Sequence, residues 1–103
     1  MVWLTLIELF FAGVFAANSI PHFVSGVCGR KFPSPFASPP GKGLSSSVVN
    51  MFWGLGNFIV ACLLYIAARP VQFGFTFETL AILLGAVLIS FQLASHFGSL
   101  NLK

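Results

Sequence analysis

Eight polar residues stand within or at the ends of otherwise apolar stretches, and their types can hold a proton, a cation or a hydrogen-bonding solute: Glu8, Asn18, His22, Asn50, Asn57, Glu78, Gln92 and His96. A carboxylate accepts, an amide both donates and accepts, and an imidazole can act as base or metal ligand. In hydrocarbon such groups are expensive, so each asks for a partner or a task. Glu8, Phe11, Phe15, Asn18 and His22 recur at steps of three and four, which puts them along one helix face. Asn50, Trp53, Asn57, Ala61 and Leu64 form a comparable stripe, as do Glu78, Ala81, Gly85, Gln92 and His96. Small residues lie beside these faces, at Ala12, Gly13, Ala16 and Ala17 and at Gly54, Ala61 and Ala68, so that helices can approach closely.

The carboxylates divide into two cases. Glu78 falls in the first turn of its helix, where a negative charge suits the helix dipole. With Arg69 it forms an outer ion-pair candidate. Glu8 lies about two turns inside its stretch, among Leu, Ile and Phe, and must be protonated, paired or facing a wet cavity. The histidines fall at the other end. His22 and His96 close the first and third stretches and share that end with Asn18, Asn50 and Gln92. Two imidazoles on neighbouring helices can also ligate a metal or a haem iron. Neither stretch offers a third ligand, so haem or metal stays a secondary alternative and no cofactor is expected.

Other chemistry is weaker. Gly41, Lys42 and Gly43 precede a helix start, but Lys42 is followed by Gly43 rather than Ser or Thr, and no strand precedes it, so this is no nucleotide-binding loop. Lys42 beside a helix N-terminus remains a candidate contact for an anion or lipid phosphate. Cys28 and Cys62 are too far apart along the chain's expected path for a disulfide, and they lack clustered zinc spacing. No nucleophile–base pair is evident, which favours a non-enzyme without deciding the question. The residual enzymatic idea is a lipid-interface reaction with His22 or His96 as base.

The elements that must position these residues are three apolar stretches, roughly 2–20, 48–68 and 76–95, each near the ~20 residues needed to cross a bilayer core. The chain has 103 residues, 57% hydrophobic and 7% charged. Soluble domains carry about 25% charged residues, so this surface must face lipid. The expected fold is an all-α integral membrane protein: one three-helix transmembrane domain over 1–103, arranged up-down-up, with helices about 2–22, 48–68 and 76–97. Pro21 argues for a first-helix stop near Ile20, with a kinked continuation toward Gly26 as the alternative. The run Val14, Phe15, Ala16, Ala17 resembles the end of a signal peptide. Yet no Lys or Arg precedes the apolar run and Glu8 interrupts it, which favours a membrane helix.

Between the first two helices, loop 26–47 holds four of the six prolines and four of the ten glycines, together with Phe32, Phe36 and Leu44. This composition favours an ordered loop whose phenylalanines return to the helix ends over a solvated linker. Ser45, Ser46 and Ser47 can cap the second helix, Pro70 stops it, Thr76 can cap the third, and Gly98 is a candidate C-cap. Arg30, Lys31 and Lys42 lie in the loop and Lys103 ends the chain, whereas the second connection holds Arg69. The bias places the N-terminus outside and the loop and C-terminus in the cytoplasm of a plasma or inner membrane. A net charge of +3, scattered, excludes a nucleic-acid partner.

A bundle this small has little interior, so a homo-oligomer or membership of a membrane complex is expected, with the lipid bilayer as the other partner. The leading functional expectation is an oligomeric channel or transporter for a small ion or solute, with a polar site on the cytoplasmic side. Its path candidates are Glu8, Asn18, His22, Asn50, Asn57, Gln92 and His96. The alternative is an accessory or anchor subunit of a larger assembly.

Overall fold

The structure is a computed structural model that describes residues 2–102; Lys103, counted above among the positive residues, lies outside them. The chain is mostly helical: α1 (Val2–Val27), α2 (Ser47–Ala68) and α3 (Phe77–Ser99), with two-residue strands β1 (Phe32–Pro33) and β2 (Leu44–Ser45) between α1 and α2. Among the described residues, all three helices are long and apolar enough to cross a membrane. The molecule is elongated, 42 × 23 × 21 Å.

α1 is the centre. It packs against both α2 and α3, while α2 and α3 scarcely meet. Three helices in this order form a layer rather than a closed ring. Contacts fix the directions. Asn18 meets Asn57 and His22 meets Asn50, so α2 runs antiparallel to α1. Gly13 lies against Ile82 and Ala86, and further along His22 meets Phe97, so α3 runs parallel to α1. The buried residues of α1 are Leu9, Ala12, Gly13, Ser19, His22 and Ser25, spread over two flanks because α1 serves two neighbours. The expected single polar face is therefore divided, and Phe11, counted in it, is 45% exposed. On α2 the buried set is Asn50, Gly54, Asn57, Ala61 and Ala68, a clean stripe of polar and small residues. Buried residues on α3 reduce to Gly85.

The α1–α3 contact depends on two glycines. A Cβ on Gly13 would strike the Ile82 carbonyl, and one on Gly85 would strike the Phe10 carbonyl. The two backbones approach as closely as they do because neither residue has a side chain, which is the usual basis of helix association in lipid.

Two helix ends differ from the leading sequence expectations, and for the first the structure follows the alternative of a continuation past Pro21. α1 does not stop at Ile20; it continues through Pro21 to Val27. Proline inside a helix costs about 3 kcal/mol in lost bonding and clash. Packing of the following turn outweighs that cost, since His22 and Ser25 are both buried. The real stop is a Schellman turn: Gly29 has φ 76°, its N–H donates to the Gly26 carbonyl, and the Arg30 N–H donates to the Ser25 carbonyl. α3 likewise passes through Gly98 and ends at Ser99, with Leu100 as its C-cap and Asn101 taking the left-handed conformation at φ 52°. Asn tolerates that region better than most residues. α2 is capped by the Ser46 hydroxyl, which accepts from the Val49 N–H at 3.1 Å, and α3 by Thr76, which accepts from the Thr79 N–H at 3.2 Å.

Glycine substitutions separate the close contacts from ordinary helix positions. Gly13→Ala and Gly85→Ala are each expected to destabilise the chain by about 1–3 kcal/mol through overpacking. A Cβ on Gly56 meets nothing within 4 Å, so Gly56→Ala is expected to be neutral or up to about 1 kcal/mol stabilising. Denaturant titration in micelles measures both.

Candidate functional site

The polar residues that sequence spacing singled out do not spread evenly; several converge where α1 ends and α2 begins. The centre is Asn50, which is 0% exposed. Its amide nitrogen donates to the carbonyls of Phe32 at 2.9 Å, Ser46 at 3.0 Å and Ser45 at 3.3 Å. These acceptors fix which way the amide faces. Its oxygen therefore points the other way, to His22 Nδ1 at 2.9 Å. An amide oxygen can only accept, so His22 carries its proton on Nδ1. In the neutral ring Nε2 is then a bare lone pair.

The same reasoning applies to His96. Its Nε2 lies 2.7 Å from the Gly41 carbonyl, which again can only accept. His96 carries its proton on Nε2 and keeps Nδ1 as its lone pair. Asn57 follows suit: its amide nitrogen donates to the Trp53 carbonyl at 2.8 Å, and its oxygen accepts from the Asn18 amide at 2.9 Å. That leaves the Asn18 oxygen without a hydrogen-bond partner among the described residues.

Asn18, His22 and His96 line one cavity of about 170 Å³ with Pro33, Ser34, Pro35, Gly41, Trp53, Leu93 and Phe97. Among the described residues, every fully buried side-chain nitrogen or oxygen has a partner. The three unpartnered acceptors, Asn18 Oδ1, His22 Nε2 and His96 Nδ1, must therefore border open space. Their residues all line this cavity.

The segment between α1 and α2 supplies the cavity's other wall. β1 and β2 pair antiparallel, Phe32 opposite Ser45. The Ser34 and Ser45 hydroxyls share a hydrogen bond at 2.5 Å, and the Ser34 carbonyl accepts from the Ala37 and Gly41 N–H groups. Phe32 meets the His22 ring edge-on at 5.6 Å and the Phe97 ring at 4.7 Å. Phe36 meets Trp53 at 5.2 Å, and His22 also abuts Trp53 and Phe97. The imidazole of His22 thus sits in an aromatic box with one nitrogen held by Asn50.

Other candidates fall elsewhere. Gln92 is exposed on α3 and does not line the cavity. Glu8 is half-buried near the opposite end of the layer, without a hydrogen-bond or ion-pair partner among the described residues. Glu78 is half-buried in the first turn of α3. The Arg69 guanidinium donates to the Ile66 carbonyl at 3.3 Å rather than pairing with Glu78. Lys42 is exposed, and the backbone donors around it are used inside the loop: Gly41 N–H by Ser34, and Lys42 and Gly43 N–H by Pro39. Its ammonium group is what remains for an anion. Cys28 and Cys62 are free and exposed. Among the described residues, no group of three or more His, Cys, Asp or Glu side chains gathers as metal ligands would.

Sequence reasoning missed Ser34, Gly41, Leu93 and Phe97. Ser34 is 1% exposed, yet it sits between two prolines in a stretch with no period to read. Comparison with known proteins adds nothing to this geometry: no protein family, curated protein or solved structure matches the chain.

Asn50 is the position where one side chain serves two elements and a histidine. Asn50→Leu takes the side-chain donor from the Phe32 and Ser45 carbonyls and strands the His22 N–H, while the Ser46 carbonyl keeps the backbone N–H of residue 50; each buried unsatisfied group costs about 1–3 kcal/mol. The variant is expected to lose its hold on the 28–46 connection. Trypsin should then cut after Arg30, Lys31 or Lys42 at least about tenfold faster than in the wild type; unchanged cleavage would show that Asn50 does not anchor the loop.

Proposed function

We propose that the chain is an integral membrane protein that works as an oligomeric channel or transporter for a small ion or solute, with the two-histidine cavity as its polar site. The observation that carries this is that Asn18, His22 and His96, each with one acceptor left unpartnered among the described residues, line one cavity at the end of the helix layer. Each of the three side chains spends one polar atom on a fixed partner, Asn57, Asn50 or the Gly41 carbonyl. Packing accounts for those bonds. The second polar atom of each is left open beside the cavity, where a solute can dock on it.

In this reading the three helices span the bilayer up-down-up and the Pro/Gly-rich connection is an ordered cap over the site. The N-terminus lies outside, and the C-terminus and loop lie in the cytoplasm of a plasma or inner membrane, as the positive residues favour. The layer α2–α1–α3 encloses no route of its own, so the path across the membrane runs between copies. Glu8 is its polar station at the far end. The bare outer face of α3, where Phe91 is 75% exposed, supports a second reading: this face docks on another protein and the chain is an accessory subunit.

Two measurements bear on these readings. In oriented membrane vesicles, Cys28 is expected to react with a membrane-impermeant maleimide from the cytoplasmic side and to be protected from the outside; the reverse pattern would invert the topology. Proteoliposomes of the purified chain are expected to pass a small ion or solute faster than empty liposomes. His96→Phe and Glu8→Gln should each lower that flux at least about tenfold, the order of one lost charge-assisted hydrogen bond. No flux for any solute, with recovery only in association with other proteins, would favour the accessory role.

A further inference from the structure

The hydrogen-bond geometry around the cavity assigns it a ligand class: we infer that it takes an ammonium ion or a small primary ammonium group, held by N–H donation to Asn18 Oδ1, His22 Nε2 and His96 Nδ1. The inference deepens the transport reading and uses the same site.

The donor–acceptor balance leads to it. All three atoms are acceptors, because their partners have already fixed where the protons lie. Asn50 sets the His22 tautomer, Gly41 sets that of His96, and Asn57 takes the Asn18 N–H. The Ser34 hydroxyl is engaged with Ser45 and accepts from the Phe36 N–H. Among the lining side chains, the Trp53 indole N–H and the second N–H of the Asn18 amide are the donors without a hydrogen-bond partner among the described residues. An anion would find these two donors but would also meet the three lone pairs. A primary ammonium offers three N–H donors, one for each acceptor.

The walls agree with this assignment. Trp53 and Phe97 line the cavity, and aromatic faces attract ammonium-type cations, Trp most strongly. The volume of about 170 Å³ is several times the ~30 Å³ share of one liquid water, enough for a small amine. The loop cations stay out of it. Arg30 and Lys31 line a separate cavity with Ser25, Phe32, Leu44 and Leu102, and Lys42 is exposed. Among the described residues no carboxylate lines the site either; Glu8 and Glu78 lie toward the opposite end. A cation held by neutral acceptors alone binds weakly and leaves readily, which suits passage rather than storage. Imidazole nitrogens are poor ligands for potassium, a hard cation that prefers oxygen. The site should therefore separate ammonium from potassium at equal charge and closely similar size.

The test uses the full chain in nanodiscs with Trp3→Phe, so that Trp53 is the remaining tryptophan of the two. Trp53 fluorescence is titrated with ammonium chloride, methylammonium chloride and potassium chloride at constant ionic strength. Saturable change with ammonium and methylammonium, at least about tenfold weaker with potassium, is the expected result, the ratio reflecting charge-assisted hydrogen bonds that potassium cannot form. His96→Phe, which removes one acceptor, and Leu93→Phe, which fills the cavity without touching a hydrogen bond, should each weaken ammonium binding to a similar degree while helicity is unchanged. Equal responses to ammonium and potassium, or no saturable response to either ammonium salt, would overturn the assignment. If ammonium fails to bind but His96→Phe still lowers the flux of another solute, the ligand class is wrong and the transport reading stands. Ammonium binding without flux of any kind contradicts transport and leaves the ligand class intact.

Discussion

The amide of Asn50 is the interaction on which the rest of this structure depends. It is fully buried and it joins parts of the chain far apart in sequence. Its nitrogen holds the backbone at Phe32, Ser45 and Ser46, and so pins the connection between α1 and α2 to the start of α2. Its oxygen holds His22 near the end of α1. Because an amide has distinct donor and acceptor ends, the carbonyls on one side determine the protonation pattern on the other. A packing decision in the loop thereby becomes a chemical decision at an imidazole.

Around that point the fold divides into two regimes. Along most of α1 the neighbours touch through Gly and Ala, with Gly13 and Gly85 letting two backbones meet directly. Such contacts leave no room for polar groups and hold the layer together by close packing. At the end near Asn50 the packing opens, because the 28–46 connection, not a fourth helix, closes the structure there. Prolines, short strands and the Ser34–Ser45 hydrogen bond shape a wall, and Phe32 and Phe36 cover it. The cavity exists where helix packing gives way to loop packing. The outer face of α3 is free, and among the described residues the three helices form a layer and not a ring.

Much of this was legible in the sequence. Three apolar runs of the right length, the small-residue stripe Gly54, Ala61, Ala68, and the grouping of Asn18, His22, Asn50 and His96 toward one end all follow from periodicity. What sequence could not supply was the partition of faces. α1 touches two neighbours, so its buried residues fall on two flanks, and a single stripe drawn through Glu8, Phe11 and His22 mixes them. Gln92 shares a helical face with His96 by spacing, yet α3 presents it outward. Pro21 was a sound signal to stop, overridden because the turn after it buries His22 and Ser25. The roles of Ser34 and Gly41 depend on a loop path that no repeat encodes. The left-handed end at Gly29 lies three residues past Gly26, where the kinked alternative ends the helix.

The central claim is that Asn50 and Gly41 set opposite tautomers on the two histidines and so leave His22 Nε2 and His96 Nδ1 as lone pairs in one cavity. Nitrogen-15 NMR of histidine-labelled protein in lipid bilayers measures this directly. At about pH 8, above the ordinary imidazole range, His22 is predicted to show a protonated Nδ1 and a bare Nε2, and His96 a protonated Nε2 and a bare Nδ1. A protonated Nε2 on neutral His22 would contradict the account, because its Nδ1 would then be a lone pair facing the Asn50 oxygen.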